Sequence, residues 1–208
     1  MSLNRSLTGR SKKVLLTFGA LGTAGAMAGM GTFATFTSTT SASAPESTGT
    51  VVVALGATGA ATNRLTVGAA GLVPGDTVQR AFDLNNTGSQ AMASITLTTT
   101  AAPSSLLDTD TTNGLQMVID RCPAVWTEVG ASAPFTYTCS SATSTVIATR
   151  PVIGATLPLG AISALTAGLG DHLRVTLTLP TGAGNTFQNL NSTIAYAFTG
   201  TQRAATNQ

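Results

Sequence analysis

Lysine is missing from the sequence after Lys13, histidine occurs once, at His172, tryptophan once, at Trp126, and cysteine twice, at Cys122 and Cys139. Each shortage removes a chemistry. Without lysine the body of the chain makes neither Lys–Asn isopeptide cross-links nor a Schiff base with a carbonyl substrate. One histidine falls short of the three or four ligands that zinc takes from His, Cys and carboxylate, and no H-E-x-x-H sequence occurs. There is no G-x-S-x-G elbow either. Charged residues make up 9% of the chain and aromatics 5%, which leaves little for a cationic nucleic-acid surface or an aromatic platform for sugars.

Long hydrophobic runs are also absent. The apolar stretch from Val14 to Met30 has 17 residues, carries Gly19, Gly22, Gly25 and Gly29, and as a helix would span about 25 Å, short of a hydrocarbon layer of roughly 30 Å. It follows a basic, acid-free lead (Arg5, Arg10, Lys12, Lys13) and precedes Gly-Met-Gly-Thr-Phe-Ala-Thr-Phe. That order is the order of an export signal. Residues 1–34 are expected to form it, with cleavage between Ala34 and Thr35, where Thr32 and Ala34 supply the small side chains that a signal peptidase accepts. An uncleaved anchor is the alternative reading. Contact with the membrane is then confined to this segment before cleavage, and the protein works outside the cytoplasm.

Removing the signal changes the charge. Six arginines (Arg64, Arg80, Arg121, Arg150, Arg174, Arg203) face eight acids, so a formal +2 becomes about −2. The apparent basicity belongs to targeting, and nucleic acid is not an expected partner. In an exported chain, Cys122 and Cys139 are expected to form a disulfide; a metal or redox pair would want a Cys-x-x-Cys spacing or more histidine.

Residues 35–48 (TFTSTTSASAPEST) hold one large apolar side chain, Phe36. Such a segment cannot fold by itself and reads as a leader or as an extended strand awaiting a partner. From residue 49 to 208 a single domain is expected, with short runs rich in Val, Ile, Thr and aromatics between Gly, Pro and Asn punctuation. The runs are Thr50 to Leu55, Arg64 to Gly68, Thr77 to Asn85 after the Pro74-Gly75 turn, Ala91 to Thr100, Leu115 to Ile119, Leu173 to Leu179 and Thr193 to Phe198. In Ala91 to Thr100 the alternation puts Ala91, Ala93, Ile95 and Leu97 on the buried face. Only Ile162 to Leu169 hints at a helical turn. The pattern predicts an all-β fold: an antiparallel two-sheet sandwich of jelly-roll type with about eight or nine strands, at most short helices, and the N-terminal signal helix ahead of it.

Few residues offer chemistry. His172 lies beside Asp171 between Gly168, Gly170 and a strand, and reads as a surface or loop-stabilising residue before a catalytic one. Asp108 and Asp110 form an oxygen-rich loop that lacks the spacing of an EF-hand, so a solvated turn is preferred to a Ca2+ site. Asn85 and Asn191 lie in N-x-S/T sequons. Leu179-Pro180-Thr181-Gly182 lacks the residue that a sortase signal places between proline and threonine. Trp126 is assigned to core filling beneath the disulfide. No cofactor and no catalytic residue is expected.

Four segments in order, GMGTFATF, STGTVVVAL (Ser47 to Leu55), GLVPGDTVQRAFDLNNTGSQAMASITL (Gly71 to Leu97) and STIAYAFTGTQ (Ser192 to Gln202), resemble the TasA/camelysin family of exported bacterial proteins. The resemblance implies release by a dedicated signal peptidase, a jelly-roll body and assembly into extracellular fibres of a biofilm matrix. It implies donor-strand exchange, in which the freed N-terminus of one copy completes a sheet of the next. The donor would run from Thr35 through Phe36, Thr37, Ser38, Thr39, Thr40, Ser41, Ala42 and Ser43 to Ala44. Its partners are other copies of the same chain, head to tail. Some members of the family are described as metal-dependent peptidases, for which no matching ligand set stands in this sequence. A monomeric glycan-binding module and a secreted hydrolase using His172 are the competing readings.

Overall fold

The computed structural model describes residues 50–65 and 71–205. The chain divides into two compact units, Met1–Thr37 and Ser38–Gln208, and all described residues fall in the second. The expected signal, its Ala34–Thr35 cleavage point and the donor segment from Thr35 to Ala44 lie outside the described residues.

The described residues form ten strands, all pairing antiparallel: β1 (Val53–Leu55), β2 (Thr77–Asn86), β3 (Met92–Ala101), β4 (Gln116–Cys122), β5 (Thr127–Val129), β6 (Thr136–Thr138), β7 (Ser144–Pro151), β8 (Gly154–Pro158), β9 (Gly170–Thr178) and β10 (Ile194–Gln202). Among the described residues the only α-helix is one turn, α1 (Leu106–Thr109), and Ser163–Leu165 and Asn185–Phe187 are 3-10 turns. A five-stranded sheet, β1-β2-β9-β4-β7, packs on a three-stranded sheet, β10-β3-β8, and a hairpin of β5 and β6 stands apart. This is the two-sheet antiparallel sandwich the alternation predicts, with ten strands in place of eight or nine.

Inward positions follow the period of two. Phe82 and Leu84 on β2, Leu173 and Val175 on β9, and Met117 and Ile119 on β4 meet Ile95, Leu97 and Leu157 of the smaller sheet, all buried. Phe82 and Phe198 join the sheets face to face, ring centroids 5.3 Å apart and tilted by 40°, an arrangement worth about 0.5–1.5 kcal/mol beyond burial. Turns fall where the sequence puts them: Asp76 N–H donates to Val73 O (3.0 Å) and Gly75 takes a φ of +96°, as a type II turn requires.

β7 crosses into β8 through Val152 and Ile153, so one flank of the sandwich is closed by continuous chain. Thr99 pins that corner: its buried hydroxyl donates to Val152 O (2.6 Å) and accepts from Gly154 N–H (2.8 Å).

Two strand expectations need correcting. Arg64 to Gly68 is not a strand of its own where it is described; Asn63 forms one isolated bridge to Phe82 and Arg64 N–H donates to Ala81 O. In β3 the buried set begins with Met92, 5% exposed, while Ala93 faces solvent. The register slips at this point, Gln202 opposing Met92 and Thr201 opposing Ser94, and the bulge at Ala93 turns Met92 inward.

Candidate functional site

Opposite the closed flank the sandwich is open. β10 pairs with β3 along its length, and among the described residues no strand pairs with its other edge. On the large sheet, β1 covers only Leu84 to Asn86 of β2, and Gly56, Thr62 and Arg64 bond to Asp83 and Ala81 beyond it. β1 and β10 approach where Gly200 meets Val53: a Cβ on Gly200 would lie 2.8 Å from Val53 Cγ2 and 2.6 Å from Met92 Sδ. Toward the start of β10 the two sheets part.

The gap is a cleft of ≈ 840 Å³ lined by twenty residues, among them Leu55, Leu65, Leu72, Val78, Leu107, Leu115, Leu177, Phe187, Leu190 and Ile194. Among the described residues Arg80 is the single charged one in its wall. It is 5% exposed, because the β2 alternation that buries Phe82 and Leu84 also carries Arg80 inward. Burial holds its guanidinium below the ordinary arginine value. Arg80 donates to Gln79 O (2.7 Å) and lies over the Phe135 ring at 5.9 Å. Tyr196, also in the wall, is raised by burial, with the Arg80 charge opposing that shift.

Thr50 lies at the opposite end of β2. Thr50 is tied to the turn after β2, donating to Ser89 Oγ (3.1 Å) and accepting from Ser89 N–H (2.9 Å). The cleft meets β2 at Val78 and Arg80, and eight residues of strand separate Val78 from Asn86, about 26 Å. Thr50 therefore sits at one end of β2 and the cleft meets the other.

The cysteine loop is built on the outer face of the large sheet. Cys122 and Cys139 form a disulfide with sulfurs 1.97 Å apart and a sequence separation of 17. It ties the β5–β6 hairpin down over Ala81, with Trp126, Phe135 and Tyr137 buried beneath. Trp126 is core filling, as expected, and donates Nε1–H to His172 O (3.0 Å). Arg174 lies 4.4 Å over the Trp126 ring and pairs with Asp120 at 3.1 Å. Arg64 holds Glu128 through two nitrogens, at 2.6 and 2.8 Å, and Tyr137 Oη–H donates to the same carboxylate (2.9 Å). Arg64 hydrogen bonding, followed by that of Tyr137, outweighs burial and keeps Glu128 below the ordinary carboxylate range. Burial, with the Glu128 bond, pushes Tyr137 up to about 12.

His172 is on β9 and not in a loop. Alternation sends its side chain to the outer face and Asp171 to the inner one, so the two neighbours do not act as a dyad. His172 Nδ1 meets Asp83 Oδ1 at 2.7 Å, its opposite number in the β2–β9 register. Asp171 is 2% exposed, 2.7 Å from Arg121 Nε, and accepts from Ala164 N–H (2.7 Å). No serine is hydrogen-bonded to His172 among the described residues.

Asp108 is likewise buried and not a solvated turn. It closes a capping box at the start of α1, accepting from Ser104 Oγ (2.6 Å), Ser105 N–H (2.7 Å) and Ser192 Oγ (2.5 Å). Burial works to raise its pKa, but these hydrogen bonds prevail and the net shift is downward. Asp110 accepts from the N–H groups of Thr112 and Asn113 and is the turn residue expected.

What the fold and its flank define is an antiparallel β-sandwich with a strand edge, unpaired among the described residues, beside an apolar cleft. Residues 12–119, just over half of the chain, match the family model described as camelysin metallo-endopeptidase, and the chain belongs to that family. The match runs from the leader into β4 and stops before the disulfide hairpin. No curated protein matches the chain.

The family description implies a metal, and the donor set here does not fit one. Among the described residues no three His, Cys, Asp or Glu side chains lie together. His172, the one histidine of the chain, is paired with a single carboxylate, and both cysteines are consumed in the disulfide. A catalytic zinc takes three protein ligands.

The cleft is the feature that reading the sequence missed. Its one legible sign is Arg80, a charge placed on the buried side of a strand.

Proposed function

We propose that this chain is an exported structural subunit that polymerises by donor-strand exchange. The processed N-terminal segment, Thr35 to Ala44, of one copy adds alongside β10 of the next and roofs its cleft. The open β10 edge carries this reading. A nine-residue strand with one edge that no described strand pairs offers about 30 Å of backbone to a donor, and a ten-residue donor reaches about 33 Å. Each main-chain bond formed contributes a net ~1 kcal/mol. Membership of the camelysin family supports export of the chain.

The acceptor in this proposal is the β10 of a neighbour and not the chain's own. A contact of that kind is head to tail and continues into a filament instead of closing. Of the competing readings, a glycan platform finds no support among the described residues, whose exposed large apolar side chains include no aromatic.

The test is deletion of residues 1–44. The shortened chain, beginning at Pro45, should fold and remain monomeric by light scattering and electron microscopy, whereas the chain beginning at Thr35 forms fibres. Fibres from the shortened chain would refute strand exchange.

A further inference from the structure

We infer that the disulfide hairpin braces one wall of the cleft and that reduction by a small-molecule thiol releases that wall. The wall is the run 55–65, of which Leu55, Thr58, Asn63 and Leu65 line the cleft. Backbone bonds hold it to β2: Gly56 N–H donates to Asp83 O, Asp83 N–H to Thr62 O and Arg64 N–H to Ala81 O. A further hold is the side chain of Arg64, adjacent to Leu65. That guanidinium donates back to Gly59 O, lies over the Phe135 ring at 4.5 Å and grips both carboxylate oxygens of Glu128 on β5. One residue thus joins the turn of the run to the hairpin.

The hairpin lies beyond the residues that the family model matches. Chain continuity anchors its first strand to the end of β4, and Cys122–Cys139 anchors the end of β6 to the same place. Tyr137 N–H donates to Gln79 Oε1 (3.1 Å), and Trp126, Phe135 and Tyr137 pack on Ala81. With the hairpin docked, Glu128 meets Arg64; with it lifted, that pair is broken and the run keeps its backbone bonds alone. Cys122 is 1% exposed and Cys139 half-buried, so a thiolate attacks the Cys139 sulfur. The S–S bond breaks, Cys122 leaves as a thiolate and takes up a proton, and a second thiol frees Cys139; the products are two cysteine thiols and one disulfide of the reagent. A wall already in place spares an incoming strand the cost of ordering it, so reduction should slow strand capture. That consequence rests on the strand-exchange reading; the brace itself does not.

Hydrogen exchange, read by mass spectrometry on the monomeric fraction of the chain beginning at Thr35, tests the brace. Dithiothreitol should speed exchange of residues 56–65 by about tenfold or more while β3 and β10 keep their protection. Glu128→Ala, which leaves the disulfide closed, should speed the same residues by a similar factor. Seeded fibre growth should slow at least about threefold in both cases. No change at 56–65 on reduction, or none in Glu128→Ala, overturns the brace; should reduction unfold the chain, Glu128→Ala decides alone. Faster exchange with growth at the parent rate overturns the link from brace to capture. Faster exchange in a chain that forms no fibres upholds the brace and ends the strand-exchange reading.

Discussion

At the scale of single residues the ionisable side chains act as fasteners. Asp108 joins the start of α1 to Ser192 ahead of β10 through three hydrogen bonds. Asp108→Ala should therefore destabilise the chain by about 2 kcal/mol, read by urea denaturation at pH 7. The pH dependence has a definite sign. The folded pKa lies below the unfolded value, so the contribution is complete above about pH 4. It is lost as pH falls through the folded value. Asp108→Asn should show a smaller drop in stability between pH 7 and pH 3 than the parent chain. His172 is a fastener of a weaker sort, since its ring and Asp83 are partly exposed at 32% and 20%. His172→Gln should cost under about 1 kcal/mol. Any peptidase activity of the purified chain should survive it; selective loss of activity in a stable variant would show that His172 has catalytic work. Which residues carry charge was plain in the sequence. Their partners were not, because Asp83 and His172 meet only through the β2–β9 register, and Asp108 and Ser192 only through folding of distant segments.

Among the elements, the long alternating strands were legible and the short ones were not. β9 and β10 alternate cleanly, and β2 does so apart from Ala81, which the cysteine hairpin covers. β5 and β6 are three residues long and lie in the cysteine loop, where no period has room to show. In β3 the period and its phase were right from Ile95 on, and only the start was mistaken, where one bulge at Ala93 puts Met92 inside in place of Ala93. The hairpin depends on Cys122–Cys139 for attachment to the sheet. Replacing both cysteines by serine should lower stability by about 3 kcal/mol in the chain-entropy model for a loop of this length. Trp126, the only tryptophan, reports the same event: its emission should shift to the red as the hairpin lifts. An unshifted spectrum with unchanged stability would mean that the packing of Trp126, Phe135 and Tyr137 on Ala81 suffices alone.

For the whole molecule, the fold class followed from the period of two, whereas the unequal flanks did not. The closed flank depends on β7 continuing into β8 and on the Thr99 corner, and the open one on the parting of β10 from β2. These are matters of three-dimensional order that local pattern does not encode. On the donor-strand reading proposed above, with Thr50 and the cleft at opposite ends of β2, every copy would carry a tongue at one pole and a socket at the other. A string of such copies has polarity, and its two tips are chemically unlike. A copy stripped of its tongue still offers a socket, so it accepts one neighbour and passes nothing onward. Mixed in small proportion with chains beginning at Thr35, it should act as a terminator, and mean filament length measured by electron microscopy should shorten as its mole fraction grows.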